Sequence, residues 1–140
     1  MTLEEKKQRI VEDLSFIEDP HERLGYIIDL GKTAEGLDES FKTDQYRIEG
    51  CISNLWLVPT MEDGKCYYRA DSDAMVTKGF ASLLCQLYSG HQPGEVLTVD
   101  PAFLSEVGVT QHLSPNRRNG LTQVGERIMS FAKIHAETDV

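Results

Sequence analysis

Asp63-Gly64 stands between two runs of β-forming residues, Ile48 to Val58-Pro59 before it and Lys65-Cys66-Tyr67-Tyr68-Arg69 after it. An Asp-Gly pair supplies the two positive φ angles of a tight hairpin turn, so the runs are expected to pair antiparallel. On both sides of this hairpin the apolar residues recur with the period of a helix. A lone hairpin cannot hold itself together in water, and must be covered by those helices. The expected fold is therefore α+β, a small antiparallel hairpin-based sheet packed against several helices.

The helical segments carry their own start signals. Thr2-Leu3-Glu4-Glu5 is a capping box ahead of Leu3, Ile10, Leu14 and Ile17, which share one helical face. Asp19-Pro20 caps and opens a second helix through Leu24, Ile27 and Ile28, with Gly31 as its expected stop. Residues 32–47 show no sustained period and read as a connecting loop. After the hairpin, Asp71-Ser72-Asp73 is expected to cap a third helix along Val76, Phe80, Leu83, Leu84 and Leu87, ended by Gly90 and Pro93. Asp100-Pro101 begins a short helix running to Gly108. Ser114-Pro115 opens the last helix, which carries Leu121, Val124, Ile128 and Phe131.

A length of 140 residues fits one domain spanning 1–140. The charged N-terminus lacks the apolar stretch of a signal peptide, and no run approaches a membrane span, so a cytosolic protein that engages no membrane is expected. Fourteen Lys and Arg against 23 Asp and Glu give a net charge of -9, the wrong sign for a nucleic-acid binder. Three cysteines without CxxC spacing make no disulfide framework and read as reduced thiols.

Among chemistry-bearing residues, Cys66 lies within a strand and Cys85 within an apolar helix, where packed thiols are expected. His21 and His135 fall in charged or terminal surroundings, and His91 borders the Gly90 to Gly94 turn with no evident partner. No P-loop, dinucleotide fingerprint or nucleophile elbow occurs. His112, in a polar loop, is open between loop capping and catalysis. Cys51 follows Gly50 at the doorway of an apolar strand, and its residues alone leave a buried thiol, a metal ligand and a nucleophile open.

Three separated stretches narrow that choice. Ile48-Glu49-Gly50-Cys51-Ile52-Ser53-Asn54-Leu55-Trp56, Asp71-Ser72-Asp73-Ala74-Met75-Val76-Thr77-Lys78-Gly79 and His112-Leu113-Ser114-Pro115-Asn116-Arg117-Arg118-Asn119-Gly120 together resemble the SufE family of sulfur acceptors, over roughly residues 20–133. The resemblance implies a fold related to iron-sulfur cluster scaffolds. It also implies a carrier more than an enzyme: the chain accepts persulfide sulfur from a cysteine desulfurase, stimulates that desulfurase, and passes sulfur to an iron-sulfur scaffold complex. Cys51 would be the acceptor, with Arg117 and His112 near it and Gly50, Asp71 and Asp73 on the partner surface. No cofactor would be resident, because pyridoxal phosphate belongs to the desulfurase. An iron-sulfur or metal scaffold, and a hydrolase pairing Cys51 with His112, are the competing expectations. Departures from the pattern are small: Leu55 stands before the tryptophan, Val76-Thr77 before Lys78-Gly79, and Arg118 adds a charge after Arg117.

Overall fold

The computed structural model describes residues 1–49 and 53–138, without the side chains of His112 and Thr138. Its elements follow the order α1 (Leu3–Phe16), α2 (Pro20–Thr33), β1 (Leu55–Glu62), β2 (Lys65–Ser72), α3 (Met75–Tyr88), α4 (Pro93–Val96) and α5 (Pro115–Thr138). Short 3₁₀ turns occupy Glu39–Phe41, Pro101–Val107 and Thr110–His112. The architecture is α+β as expected, with a two-stranded antiparallel sheet. Among the described residues no helix is long and apolar enough to cross a membrane.

Local signals in the sequence do what their chemistry requires. The Glu5 N–H donates to Thr2 Oγ1 (3.1 Å), and the His21 N–H to Asp19 Oδ1 (2.9 Å). Asp63 and Gly64 both take positive φ, 52° and 78°, and β1 and β2 pair from Leu55↔Ser72 to Glu62↔Lys65. The inward residues Leu55, Leu57, Cys66, Tyr68 and Ala70 are buried, and α3 lies against them with Phe80, Leu83, Leu84 and Leu87 in the core. Val124, Ile128 and Ala132 of α5 complete that core. The Tyr68 hydroxyl donates to the Ile128 carbonyl (3.2 Å), which is how a buried phenol is satisfied.

Four expectations need correction. Gly31 does not end α2: it lies inside the helix, where a Cβ would stand 2.8 Å from the Gly79 nitrogen of α3. Gly79 in turn packs on the Ile27 carbonyl. The glycine serves a close helix crossing, a tertiary use that no local pattern announces. Second, the strand begins at Leu55 and not at Ile48. Ile48 belongs to an arm, residues 34–48, that returns beside β1: Leu57 N–H donates to the Tyr46 carbonyl (2.9 Å) and Ile48 N–H to the Leu55 carbonyl (2.8 Å). The stretch expected as loop thus ends in antiparallel pairing, with Arg47 opposite Trp56.

Third, Asp71-Ser72-Asp73 does not cap α3, whose N-cap is Ala74 without a side-chain hydrogen bond. Asp71 and Ser72 close β2 instead. The Asp71 carboxylate, 11% exposed, accepts the N–H of Leu37 (3.0 Å) and of Ser72 (2.9 Å), and lies 3.4 Å from Lys42 and 3.6 Å from Lys78. Burial would raise its pKa, but these two N–H donors and the two ammonium groups outweigh that and hold it below the ordinary value. Lys42 also lies over the Trp56 ring (5.5 Å), and Arg69 over Phe41 (4.8 Å), so the arm covers the outer face of the sheet and buries Val58.

Fourth, His91 is partnered. Its Nδ1 sits 2.8 Å from Glu95 Oε1 and its Nε2 3.2 Å from Lys6 Nζ. Lysine only donates, so Nε2 accepts and Nδ1–H points to the glutamate. Glu95 Oε2 accepts the Leu3 N–H (3.0 Å), and Lys6 also reaches the carbonyls of Gln86 and Ser89 (2.9 and 3.2 Å). This network fastens α1 to the end of α3.

Two tests follow from the close crossing and from the buried carboxylate. Gly31→Ala and Gly79→Ala should each cost about 2 kcal/mol in urea unfolding by forcing α2 and α3 apart. Gly25→Ala, where nothing stands within 4 Å of the new Cβ, should instead stabilise the chain by about 0.5–1 kcal/mol. Asp71→Asn should cost about 3 kcal/mol at neutral pH, because it leaves the mostly buried Lys78 charge without its carboxylate and Lys42 with Glu39 alone. A lowered folded pKa means Asp71 contributes fully above its unfolded value and loses that contribution as pH falls through the folded one. The wild type should therefore lose stability below about pH 4, and the difference between it and Asp71→Asn should shrink over the same range.

Candidate functional site

The pairing of Ile48 with Leu55 closes a neck. Both residues are buried, at 1% and 0% exposure, and the six residues between them form the link that carries Cys51. Gly50 and Cys51 themselves lie outside the described residues. What is described is the frame that holds the link at its two ends.

At the downstream end, Asn54 is bound through its backbone N–H, its backbone carbonyl and its side-chain Nδ2. Its N–H donates to Asp73 Oδ1 (3.1 Å) and its Nδ2 to Asp73 Oδ2 (3.0 Å), while its carbonyl accepts from Ser72 Oγ (2.6 Å) and the Asp73 N–H (3.3 Å). A bidentate carboxylate fixes direction as well as distance, so the chain leaving the link enters β1 in one orientation. Asp73 is exposed, as a surface role requires. Asp71, two residues away, is turned inward and fully engaged, and supports this surface from beneath.

Arg117 comes to the same neighbourhood from the other end of the sequence. It is the third residue of α5, and the Ser114 hydroxyl accepts its N–H (3.3 Å) at the start of that helix. It is exposed, and it borders a cavity of about 10 Å3 whose walls include Leu55, Thr77, Phe80, Leu113 and Val124. The structure thus brings Arg117 to the first residue of β1. His112 ends the 3₁₀ turn before Leu113, which is a wall of this cavity, but the histidine side chain lies outside the described residues.

The other two thiols lie elsewhere. Cys66 is on the inner face of β2 and Cys85 inside α3, both buried, and burial pushes the Cys85 thiol up to about 12. A thiol held so far above neutrality is not a nucleophile. Among the described residues no three His, Cys, Asp or Glu side chains converge as a metal site.

Sequence reasoning passed over Asn54, Ser72, Lys78 and Thr77. Lys78 had a signal, a charge on an otherwise apolar helix, and it pairs with Asp71. Asn54 had none, because an asparagine before a strand is ordinary until Asp73 is seen beside it. Four residues of the stretch from Ser72 to Gly79 have structural roles. Ser72 and Asp73 hold Asn54, Lys78 holds Asp71, and Gly79 admits α2.

Comparisons with known proteins agree with this frame. The sequence model of the SufE family, described as an Fe-S metabolism associated domain, matches residues 8–132. SufE-like protein 1, chloroplastic/mitochondrial, of Arabidopsis thaliana is 35% identical over 133 residues, covering 94% of this chain and 36% of that longer protein. An uncharacterised SufE-like protein of Rhizobium meliloti is 30% identical over 130 residues, covering 89% of this chain and 93% of its own. Another from Synechocystis is 33% identical over 131 residues, covering 94% and 82%. The solution structure of a hypothetical protein from Thermus thermophilus superposes with a TM-score of 0.77 at 21% identity over 98% of this chain and 99% of that one, which shows the shared fold. With the family's model spanning nearly the whole chain and relatives at 30% identity or more over most of it, the chain belongs to the SufE family, which is associated with iron-sulfur metabolism.

Proposed function

We propose that the chain is a sulfur acceptor and carrier that takes persulfide sulfur from a pyridoxal-phosphate cysteine desulfurase onto Cys51, and passes it to iron-sulfur cluster assembly. The observation that carries this reading is the neck: a cysteine-bearing link is pinned at Ile48–Leu55 and again at Asn54–Asp73, beside Arg117. A link fixed at its ends and placed on a rigid sheet can present one residue to a partner. Three residues of chain span at most about 11 Å, so Cys51 is tethered close to Ile48 whatever its conformation.

The chemistry is an exchange at sulfur. The Cys51 thiolate attacks the outer sulfur of the donor's Cys–S–SH. A new S–S bond forms on Cys51 as the donor's S–S bond breaks, and the donor thiolate leaves with the electron pair. The proton stays on the transferred sulfur or passes to the departing thiolate, and no outside oxidant is needed. Clearing the persulfide frees the desulfurase for its next turnover, which is how a carrier stimulates it. Rate depends on how much Cys51 is thiolate, and an unperturbed thiol near pKa ~8.5 is mostly protonated at neutral pH. Arg117 and the start of α5 supply positive potential that favours the thiolate. His112, one residue before Leu113 in sequence, is the proton carrier this reading assigns. On the partner side, this reading assigns the exposed Asp73, with Asp71 as its buried support, and Gly50 next to Cys51 in sequence to the contact with a desulfurase.

Incubation with a desulfurase and cysteine, followed by intact-mass measurement, should add sulfur to the wild type and to Cys66→Ser and Cys85→Ser, and none to Cys51→Ser. A persulfide mapped to Cys66 or Cys85 in the wild type sinks the reading. In Arg117→Ala the pH midpoint of Cys51 alkylation should rise by about half a unit, with Arg117→Lys between it and the wild type.

A further inference from the structure

A larger concavity, of about 610 Å3, runs along α5 between that helix and the 3₁₀ turn Pro101–Val107. From Arg118 to Ser130 its wall on α5 recurs every three or four residues, the spacing of one helical face. Twelve steps of helix make it about 18 Å long. Its floor is apolar, formed by Leu84, Leu104, Leu121 and Met129. Ala102, Ser105, Thr122 and Glu126 on its lips are exposed, so it is a groove open to solvent and not an enclosed pocket.

Pro101 fixes how the two walls meet. Gly125 is buried, and a Cβ there would stand 3.1 Å from Pro101 Cβ. Asp100 therefore lies at the level of Gly125 and Glu126, about two turns of α5 beyond Arg118. Seven or eight residues of helix rise, about 10–12 Å, separate the two carboxylates from the guanidinium. Among the described residues no ion pair engages Asp100, Arg118 or Glu126. The hydroxyls do not converge on a ligand: Thr122 Oγ1 donates to the Arg118 carbonyl (3.0 Å) and Ser105 Oγ to the Ala102 carbonyl (2.8 Å). A small polar ligand needs several polar groups aimed inward. A long apolar floor with opposite charges spaced along it suits an occupant that is itself long, apolar on one side and charged in the complementary order.

We propose that this groove docks an amphipathic helix of a partner protein, about twelve residues long and running antiparallel to α5. Its first turn lies at Asp100 and Glu126, where a Lys or Arg and the positive end of its dipole are favoured. Its last turn lies at Arg118, where an Asp or Glu and the negative end are favoured. Two apolar residues between these charges meet the floor at Leu104 and Leu121, so the recognised pattern is basic-x-x-apolar-apolar-x-x-acidic. Leu121 also walls the small cavity at Leu55, so a partner held in the groove is kept beside the neck. The docking surface stands whether or not Cys51 carries sulfur.

Two synthetic peptides of equal composition, each stapled as a helix, are the probes. One carries Lys, Leu, Leu and Glu in that order and spacing, and the other exchanges the Lys and the Glu. During titration of the whole chain, the methyl resonances of Leu104, Leu121 and Met129 should shift saturably, with the first peptide binding about fivefold tighter than the second. In the charge-swapped chain, Arg118→Glu with Glu126→Arg, the preference should reverse, because the lips change sign over an unchanged floor. Thr122→Trp, an exposed position on the lip, should weaken both peptides about tenfold with the helical circular dichroism intact. No saturable shift with either peptide, or a preference that the charge swap leaves unchanged, overturns the proposal. Shifts of the same methyls on diluting the chain alone show that a second copy fills the groove, and also overturn it. Tighter binding of octanoate than of either peptide assigns the groove to a small amphiphile, with the same result.

Discussion

The Asp71 carboxylate is the point on which the rest of the site depends. One buried negative charge is shared by two lysines and two backbone N–H groups that come from the arm, from β2 and from α3. Remove it and Lys42 and Lys78 repel each other across the end of the hairpin. With it in place, Leu37 and Lys42 dock the arm on the outer face of the sheet, Tyr46 and Ile48 pair with β1, and the neck between Ile48 and Leu55 closes. The position of the link is thus decided some twenty to forty residues from Asp71 in sequence, through a contact that carries no chemistry of its own. Buried ionic groups often stabilise less than apolar ones would; what this one supplies is a unique register for the arm.

What could be read in advance was local. A capping box, an Asp-Pro start, an Asp-Gly turn and a Ser-Pro start each act within four residues, and each stands where the sequence places it. The misreadings share the opposite property. Gly31 has the look of a stop because α2 alone cannot reveal that α3 must approach it, and Asp71 to Asp73 have the look of a cap because helix starts are usually capped from their own chain. Ile48 belongs by composition to the strand that follows it, and by pairing to the arm that precedes it. In each case a partner distant in sequence gives the residue its role, and one sequence without its contacts holds no signal for that.

The candidate site was legible in a different way. No physical pattern in the sequence singles out Cys51 beyond a glycine before it and an apolar strand after it; the family's three stretches do so together. The structure then gives those stretches a mechanical meaning. Ser72, Asp73, Lys78 and Gly79 bind Asn54, anchor Asp71 and let two helices cross. A motif that reads as chemistry is in large part the scaffold by which one loop is held at its ends.

The electrostatics divide along the same line. The chain as a whole carries a net charge of -9, yet the cavity beside Leu55 is bordered by Arg117 and by the first turns of α3 and α5. The long-range field of the chain is therefore acidic, while beside Leu55 the first turns of α3 and α5 and Arg117 add positive potential alongside the Asp73 carboxylate that holds Asn54. The two effects act over different distances, since salt screens interactions beyond roughly 8 Å and acts less on the buried first turn of α3 at Thr77. Added salt therefore weakens the acidic field at long range before it weakens the helix-start potential beside Leu55.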